Sequence, residues 1–198
     1  MKVTLFKKNP NVYSCNVYLI RGNWNAIDDV NTLIDTGTDD FFLEELSQIS
    51  TGVGKRRVEQ VILTHEHFDH SGGLKHVKKE YNPKAYAVSM IQGIDEKAVD
   101  GMELKVGDRM AQILYTPGHS NDSICIYVPQ EHVLFSGDTA LNIKTPGGSY
   151  SQEYVEVLER LLRLDIRTVY SGHDEPVTEH VHEMLKMTYH NVISSHII

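Results

Sequence analysis

Between Leu63 and Ser71 the chain reads Thr64-His65-Glu66-His67-Phe68-Asp69-His70, and no other stretch restricts its fold and chemistry so tightly. His65, His67, Asp69 and His70 carry imidazole or carboxylate, the donors that zinc takes; neutral imidazole also suits iron, copper or nickel. A regular helix does not aim all four at one point, because residues two apart face away from each other. A loop leaving a strand does, and the apolar run Val58–Leu63 just upstream supplies the strand. The segment therefore predicts a strand end opening into a cleft, with four donors fanned around a centre.

Three later segments repeat this design in miniature. Thr116-Pro117-Gly118-His119-Ser120, Phe135-Ser136-Gly137-Asp138-Thr139 and Tyr170-Ser171-Gly172-His173 each follow a predicted strand and set a glycine before a potential ligand. Glycine there allows a tight turn that projects the next side chain into a shared cleft. Asp35, in Leu33-Ile34-Asp35-Thr36-Gly37, closes an earlier strand in a comparable way. A carboxylate behind a metal-binding loop accepts a bond from a ligand imidazole and fixes its tautomer. His76, His132, His180, His182, His190 and His196 lack such partners and read as surface residues.

With 198 residues, 40% hydrophobic and 23% charged, the chain has the size and balance of one soluble domain spanning 1–198. Its net charge of -8 argues against a nucleic-acid surface, which needs a cationic face. No apolar run reaches membrane-spanning length, and the N-terminus lacks the pattern of a secretory signal, so the expected location is cytoplasmic, with no membrane partner. Cys15 and Cys125 sit in apolar stretches and read as buried free thiols.

Strands are predicted at Val12–Ile20, Thr32–Asp35, Val58–Leu63, Ala85–Val88, Met110–Tyr115, Ile124–Val128, Val133–Ser136 and Thr168–Tyr170. One helix begins at Thr38, its hydroxyl a candidate cap, with Phe42, Leu46 and Ile49 on one face. A second carries Leu74, Val77 and Tyr81. A third follows the Ser149-x-x-Gln152 capping box with Tyr154, Leu158 and Leu161, and a fourth runs from about Thr178 with Val181, Leu185 and Val192. This mixed order favours an α+β architecture of packed sheets with helices outside.

The order His-x-His-x-Asp-His, then Gly-His, Gly-Asp and Gly-His resembles the metallo-β-lactamase superfamily over Asp35 to His173. The resemblance implies an α/β (α+β) fold of the αββα four-layer sandwich type, with metals at the edge of the two sheets. It implies one ion on His65, His67 and His119, a second on Asp69, His70 and His173, and Asp138 bridging them. Asp35 then matches the aspartate behind the metal-binding loop, and Asp69 gains a role as proton shuttle beside the catalytic Asp138. Two ions that share a water lower its pKa towards roughly 7, which yields a nucleophile at neutral pH. Zinc is the first expectation for both ions, with iron or manganese as alternatives, since affinity order does not decide occupancy.

The ligand set is similar to that of glyoxalase II and related thioester, ester and lactone hydrolases, which implies a small-molecule substrate. Few residues follow His173, so the helical extension through which glyoxalase II holds glutathione is not expected. Lys144, six residues after Asp138, is a candidate partner for an anionic substrate group. Two other classes fit the pattern. A mononuclear iron persulfide dioxygenase would use His65, His119 and Asp138 as two histidines and one carboxylate. A non-catalytic metal-binding module has no need of the full set of seven. Assembly is not legible in the sequence, a homodimer being merely the commonest state.

Overall fold

Short apolar strands that pair in parallel need crossovers, and the chain supplies them with helices. In the computed structural model, which describes residues 1–198, β1 (Lys2–Leu5), β2 (Tyr18–Arg21), β3 (Thr32–Ile34), β4 (Gln60–Ile62), β5 (Lys84–Ala87) and β6 (Glu96–Lys97) form a six-stranded sheet in that order. The first three are antiparallel neighbours, and β3 to β6 run parallel. Helix α1 (Phe41–Gln48) crosses between β3 and β4; the single turn α2 (Phe68–Ser71) and α3 (Leu74–Tyr81) cross between β4 and β5.

The second sheet holds β7 (Glu103–Val106), β8 (Arg109–Tyr115), β9 (Ile124–Val128) and β10 (Val133–Gly137). The two-residue β11 (Ser149–Tyr150) stands apart from it, followed by α4 (Gln152–Leu162), β12 (Thr168–Ser171), α5 (Val181–Ile193) and β13 (His196–Ile197). Strand order is β12-β10-β9-β8-β7, while β11 and β13 form a separate parallel ribbon.

The alternation of side chains along each strand fixes the layers. Tyr18, Ile20, Ile34 and Ile62 of the first sheet meet Ile113, Ile126 and Phe135 of the second in one buried cluster. Their neighbours Leu19, Leu33 and Val61 face the other way, onto Leu46 of α1 and Leu74 and Val77 of α3. On the far side Leu114, Cys125 and Leu134 pack against Leu158 and Leu161 of α4 and Leu185 of α5. Both faces of each sheet are therefore dry, and each such aliphatic side chain contributes roughly 1.5–3 kcal/mol by leaving water. The result is the expected αββα sandwich. No helix is long and apolar enough to cross a membrane.

Several local expectations shift. Of the strand predicted over Val12–Ile20, only residues from Tyr18 onward pair in the sheet. The preceding backbone bonds elsewhere: Cys15 N donates to Asp69 O at 3.1 Å and Asn16 N to Gly172 O at 2.6 Å. Thr38 does not cap α1, because its hydroxyl donates to Tyr13 O at 2.6 Å. The cap of α4 is Ser151 rather than Ser149, accepting from Tyr154 N at 3.2 Å, while Ser149 pairs with His196. The last helix starts at Val181. β1, β6, β7, β11 and β13 lie outside the sequence-based assignment.

One long loop needs its own anchor. Residues 139–148 leave β10 without regular structure, and α5 and the turn that follows it hold them through side chains that imitate a strand partner. Buried Thr188 donates to Leu141 O at 2.7 Å and accepts from Ile143 N at 3.0 Å. Asn191 donates to Ile143 O at 2.7 Å, and Ser195 Oγ accepts from Gly147 N at 2.8 Å.

Candidate metal centre

Strand direction decides where the donors gather. β3 and β4 are parallel, and β8, β10 and β12 share one direction, since β9 is antiparallel to both β8 and β10. The segments after β3, β4, β8, β10 and β12 deliver Asp35, the His65–His70 segment, His119, Asp138 and His173 to one edge of the sandwich. The His65–His70 segment is not all loop: Asp69 and His70 ride on α2, whose turn points both inward while His67 stays exposed. Gly137 sits at a bulge in β10 with a φ of 50°, a conformation that suits glycine.

The donor atoms fall into two sets, His65, His67 and His119, and Asp69, His70, Asp138 and His173, each within 4.8 Å. In the first, His67 Nδ1 lies 3.0 Å from both His65 Nε2 and His119 Nε2. In the second, His173 Nε2 lies 3.1 Å from Asp69 Oδ2 and 3.4 Å from Asp138 Oδ2, and His70 Nε2 is 3.2 Å from Asp138 Oδ1. Asp138 Oδ2 also comes within 3.6 Å of His119 Nε2, which ties the two sets together. Donors held by one tetrahedral ion at about 2.0–2.2 Å stand roughly 3.4 Å apart, so these separations fit. His70 Nε2 and Asp138 Oδ1 are buried without a hydrogen-bond partner, an expensive arrangement unless a cation takes their lone pairs.

The support beneath the donors fixes their orientation. His70 Nδ1 meets Asp35 Oδ2 at 2.8 Å, as expected of Asp35. Thr64, which sequence reasoning passed over, completes the network. Its backbone N donates to Asp35 Oδ1 at 2.7 Å and its hydroxyl to Asp35 Oδ2 at 2.8 Å. That leaves the Thr64 oxygen to accept from His65 Nδ1 at 3.1 Å, so His65 presents a bare Nε2. A polar residue closing an apolar strand just before the motif was the available signal. Tyr13 was also missed; its exposed ring stacks on His173 with centroids 5.1 Å apart.

Burial, helped by the neighbouring His70, pushes His65 down to about 4. Burial likewise lowers His119, against the pull of Asp138. Both rings are neutral at pH 7 and free to donate a lone pair. His70 goes the other way: burial opposes its charge, but Asp35 and Asp138 outweigh it and raise the value far above the ordinary one. For Asp138, burial favours the protonated form, yet His173 and His70 hold the carboxyl well below the usual range. The two carboxylates thus favour positive charge at His70, and a divalent ion held by Nε2 would supply that charge in place of the proton. Cys15 lies beside Asp35 and His70, and burial pushes its thiol up to about 11, so in the metal-free chain it is a neutral thiol at pH 7.

Backbone approach is as tight as the side chains. A Cβ on Gly172 would stand 2.2 Å from Asp138 Oδ1 and 2.8 Å from His70 Cε1, so any side chain before His173 would push these two donors out of place. Two cavities open beside the cluster, of about 300 and 340 Å³, and His119, Asp138 and Ala140 line both. Lys144 is exposed and lines neither.

Residues 10–173 match the family model of the metallo-beta-lactamase superfamily. The chain belongs to that superfamily. Among curated members it is 32% identical over 146 residues to the atrochrysone carboxyl ACP thioesterase of Aspergillus fumigatus, covering 71% of this chain and 46% of the relative. It is 30% identical over 149 residues to the hydroxyacylglutathione hydrolase of Maricaulis maris, covering 71% and 56%. The chain thus spans about half the length of the curated relatives it matches. The BLEG-1 B3 metallo-beta-lactamase superposes with a TM-score of 0.69 at 21% identity, over 98% of this chain and 99% of that one. A metallo-beta-lactamase fold with this histidine and aspartate cluster implies a divalent-metal site.

Proposed function

We propose that this chain is a binuclear metal-dependent hydrolase that cleaves a thioester, ester or lactone of a small molecule. The observation that carries the reading is the pair of donor sets joined through Asp138, whose Oδ2 reaches towards both His119 and His173. His65, His67 and His119 would hold one ion, Asp69, His70 and His173 the other, and Asp138 both, with zinc the first expectation. So held, two divalent ions supply a Lewis acid for the carbonyl oxygen and a water acidic enough to attack near pH 7.

The chain's own residues do the rest. Asp35 and Thr64 keep His70 and His65 in the tautomers that present Nε2. Asp69, 5% exposed and turned into the cleft, takes the proton shed by the attacking water and delivers it to the departing sulfur or oxygen. Both named curated relatives act on carboxylic thioesters by their names, a thioesterase and a hydroxyacylglutathione hydrolase, which favours the thioester among the three substrates.

The test is metal content on protein purified without added metal, run beside a thioester and lactone screen. The expected result is about two zinc ions per chain, with hydrolysis lost to chelator and to Asp138→Ala. About one iron per chain, with oxygen consumed on a persulfide and no hydrolysis, would replace this reading with the oxygenase.

A further inference from the structure

The two cavities meet at the donor cluster and differ in what lines them. The first runs under α5, where Leu141, Ile143, Val177 and Met184 give it an aliphatic wall. Ser136, Thr139, Asn142 and Ser171 add polar groups, and Asp174 is the only charged residue besides the donors. The second lies against α4 and β11, where Ser149, Tyr150, Ser151 and Tyr154 line it with hydroxyls and rings, beside the aliphatic Ile198. No lysine or arginine lines either one. Away from the donors, a carboxylate or phosphate at the far end of the first cavity would meet Asp174 and no lysine or arginine, which favours an uncharged chain there.

We propose that the cavity under α5 is an acyl pocket, and that the substrate is a thioester with an uncharged, apolar acyl chain of medium length. The inference deepens the hydrolase reading and rests on it. The scissile carbonyl lies at His119 and Asp138, which both cavities share. The acyl chain runs along Leu141, Ile143 and Met184, while the leaving arm lies on the hydroxyl-bearing side of Tyr150 and Ser149, which suits amide groups. Any charged remainder of the leaving group projects beyond both cavities into water. The pocket keeps its shape because Thr188 and Asn191 hold the backbone of Leu141 and Ile143 from the far side.

The experiment uses N-acetylcysteamine thioesters, whose leaving group is neutral, with acyl chains from acetyl to decanoyl, on the metal-loaded protein. The expected kcat/KM rises roughly fourfold per methylene until the pocket is full, the ratio given by about 0.8 kcal/mol per buried CH2. Succinyl thioester should fall at least tenfold below pentanoyl, its neutral counterpart in length. Met184→Trp, which fills the pocket, should lower the octanoyl-to-acetyl ratio at least tenfold, with thermal unfolding and metal content confirming that the variant is folded and loaded. Calorimetric binding of 1-octanol, present in the wild type and weakened in Met184→Trp, reads the pocket without turnover.

A flat chain-length profile, or succinyl cleaved as fast as pentanoyl, overturns the acyl pocket and leaves the hydrolase standing. Bound octanol with no thioester cleaved by the loaded protein overturns the substrate assignment and retains only an apolar cavity; the hydrolase reading falls with it when esters and lactones are left intact as well.

Discussion

Asp35→Asn separates the charge of Asp35 from its shape. The residue has a φ of 58°, a left-handed conformation that asparagine accepts readily, so the change adds little backbone strain. The native carboxylate accepts three bonds, from Thr64 N, the Thr64 hydroxyl and His70 Nδ1. Asparagine cannot accept them all. Its amide group must face either Thr64 N–H or the His70 and Thr64 donors, unless His70 moves its proton to Nε2, the atom aimed at the cluster. A hydrogen bond to a charged partner is worth about 1.5–3 kcal/mol, so metal-free protein should lose about 2 kcal/mol. At 2–4 °C per kcal/mol for a chain of this size, Tm should fall by about 4–8 °C. Loss of such a supporting carboxylate typically weakens metal binding by about 10–100-fold. Chelator competition measures the affinity and calorimetry the Tm. An affinity within about twofold of wild type, with Tm unchanged, would refute the claim that Asp35 sets the His70 tautomer.

Three further outcomes follow from the same geometry. Gly172→Ala should abolish metal binding while far-ultraviolet circular dichroism stays native, because the new methyl displaces Asp138 and His70 rather than the core. At pH 7 metal binding should release a proton from the raised His70 and none from His65 or His119, beyond whatever the ion-bound water sheds. Since His70 stays protonated below its raised value, affinity should fall about tenfold per pH unit of acidification; calorimetry in buffers of different ionisation enthalpy checks both. Phe135→Ala, which removes a fully buried ring lying between Tyr18 and Tyr170, should cost about 3–5 kcal/mol by denaturant unfolding without altering the donor set.

The parts of this fold that sequence reveals are those where one side chain carries the whole signal. Leu33-Ile34, Val61-Ile62 and Leu134-Phe135 are buried on both faces, so they read as strands without any knowledge of their partners. All seven donor positions are chemically distinctive, and the structure gathers all seven at one edge. β1 has one exposed and three partly buried positions at the sheet edge, and β6 is two residues long; their pairing comes from neighbours remote in sequence. The missed strand end at Val12 has the same origin, since the backbone of Cys15 and Asn16 bonds to loops of the cluster. Thr64 and Tyr13 matter through what they touch, and threonine and tyrosine are too common to announce it. Lys144 shows the converse: a suggestive spacing from Asp138 places its side chain in water.

The pins from α5 to the 139–148 loop bear on how such a catalyst would be re-engineered. Thr188 and Asn191 shape the pocket wall through the backbone of Leu141 and Ile143, and neither residue lines the cavity itself. Libraries built only from residues that touch a docked ligand would leave both untouched. Directed evolution that samples the buried face of this helix would reach shapes of the pocket that wall mutations cannot.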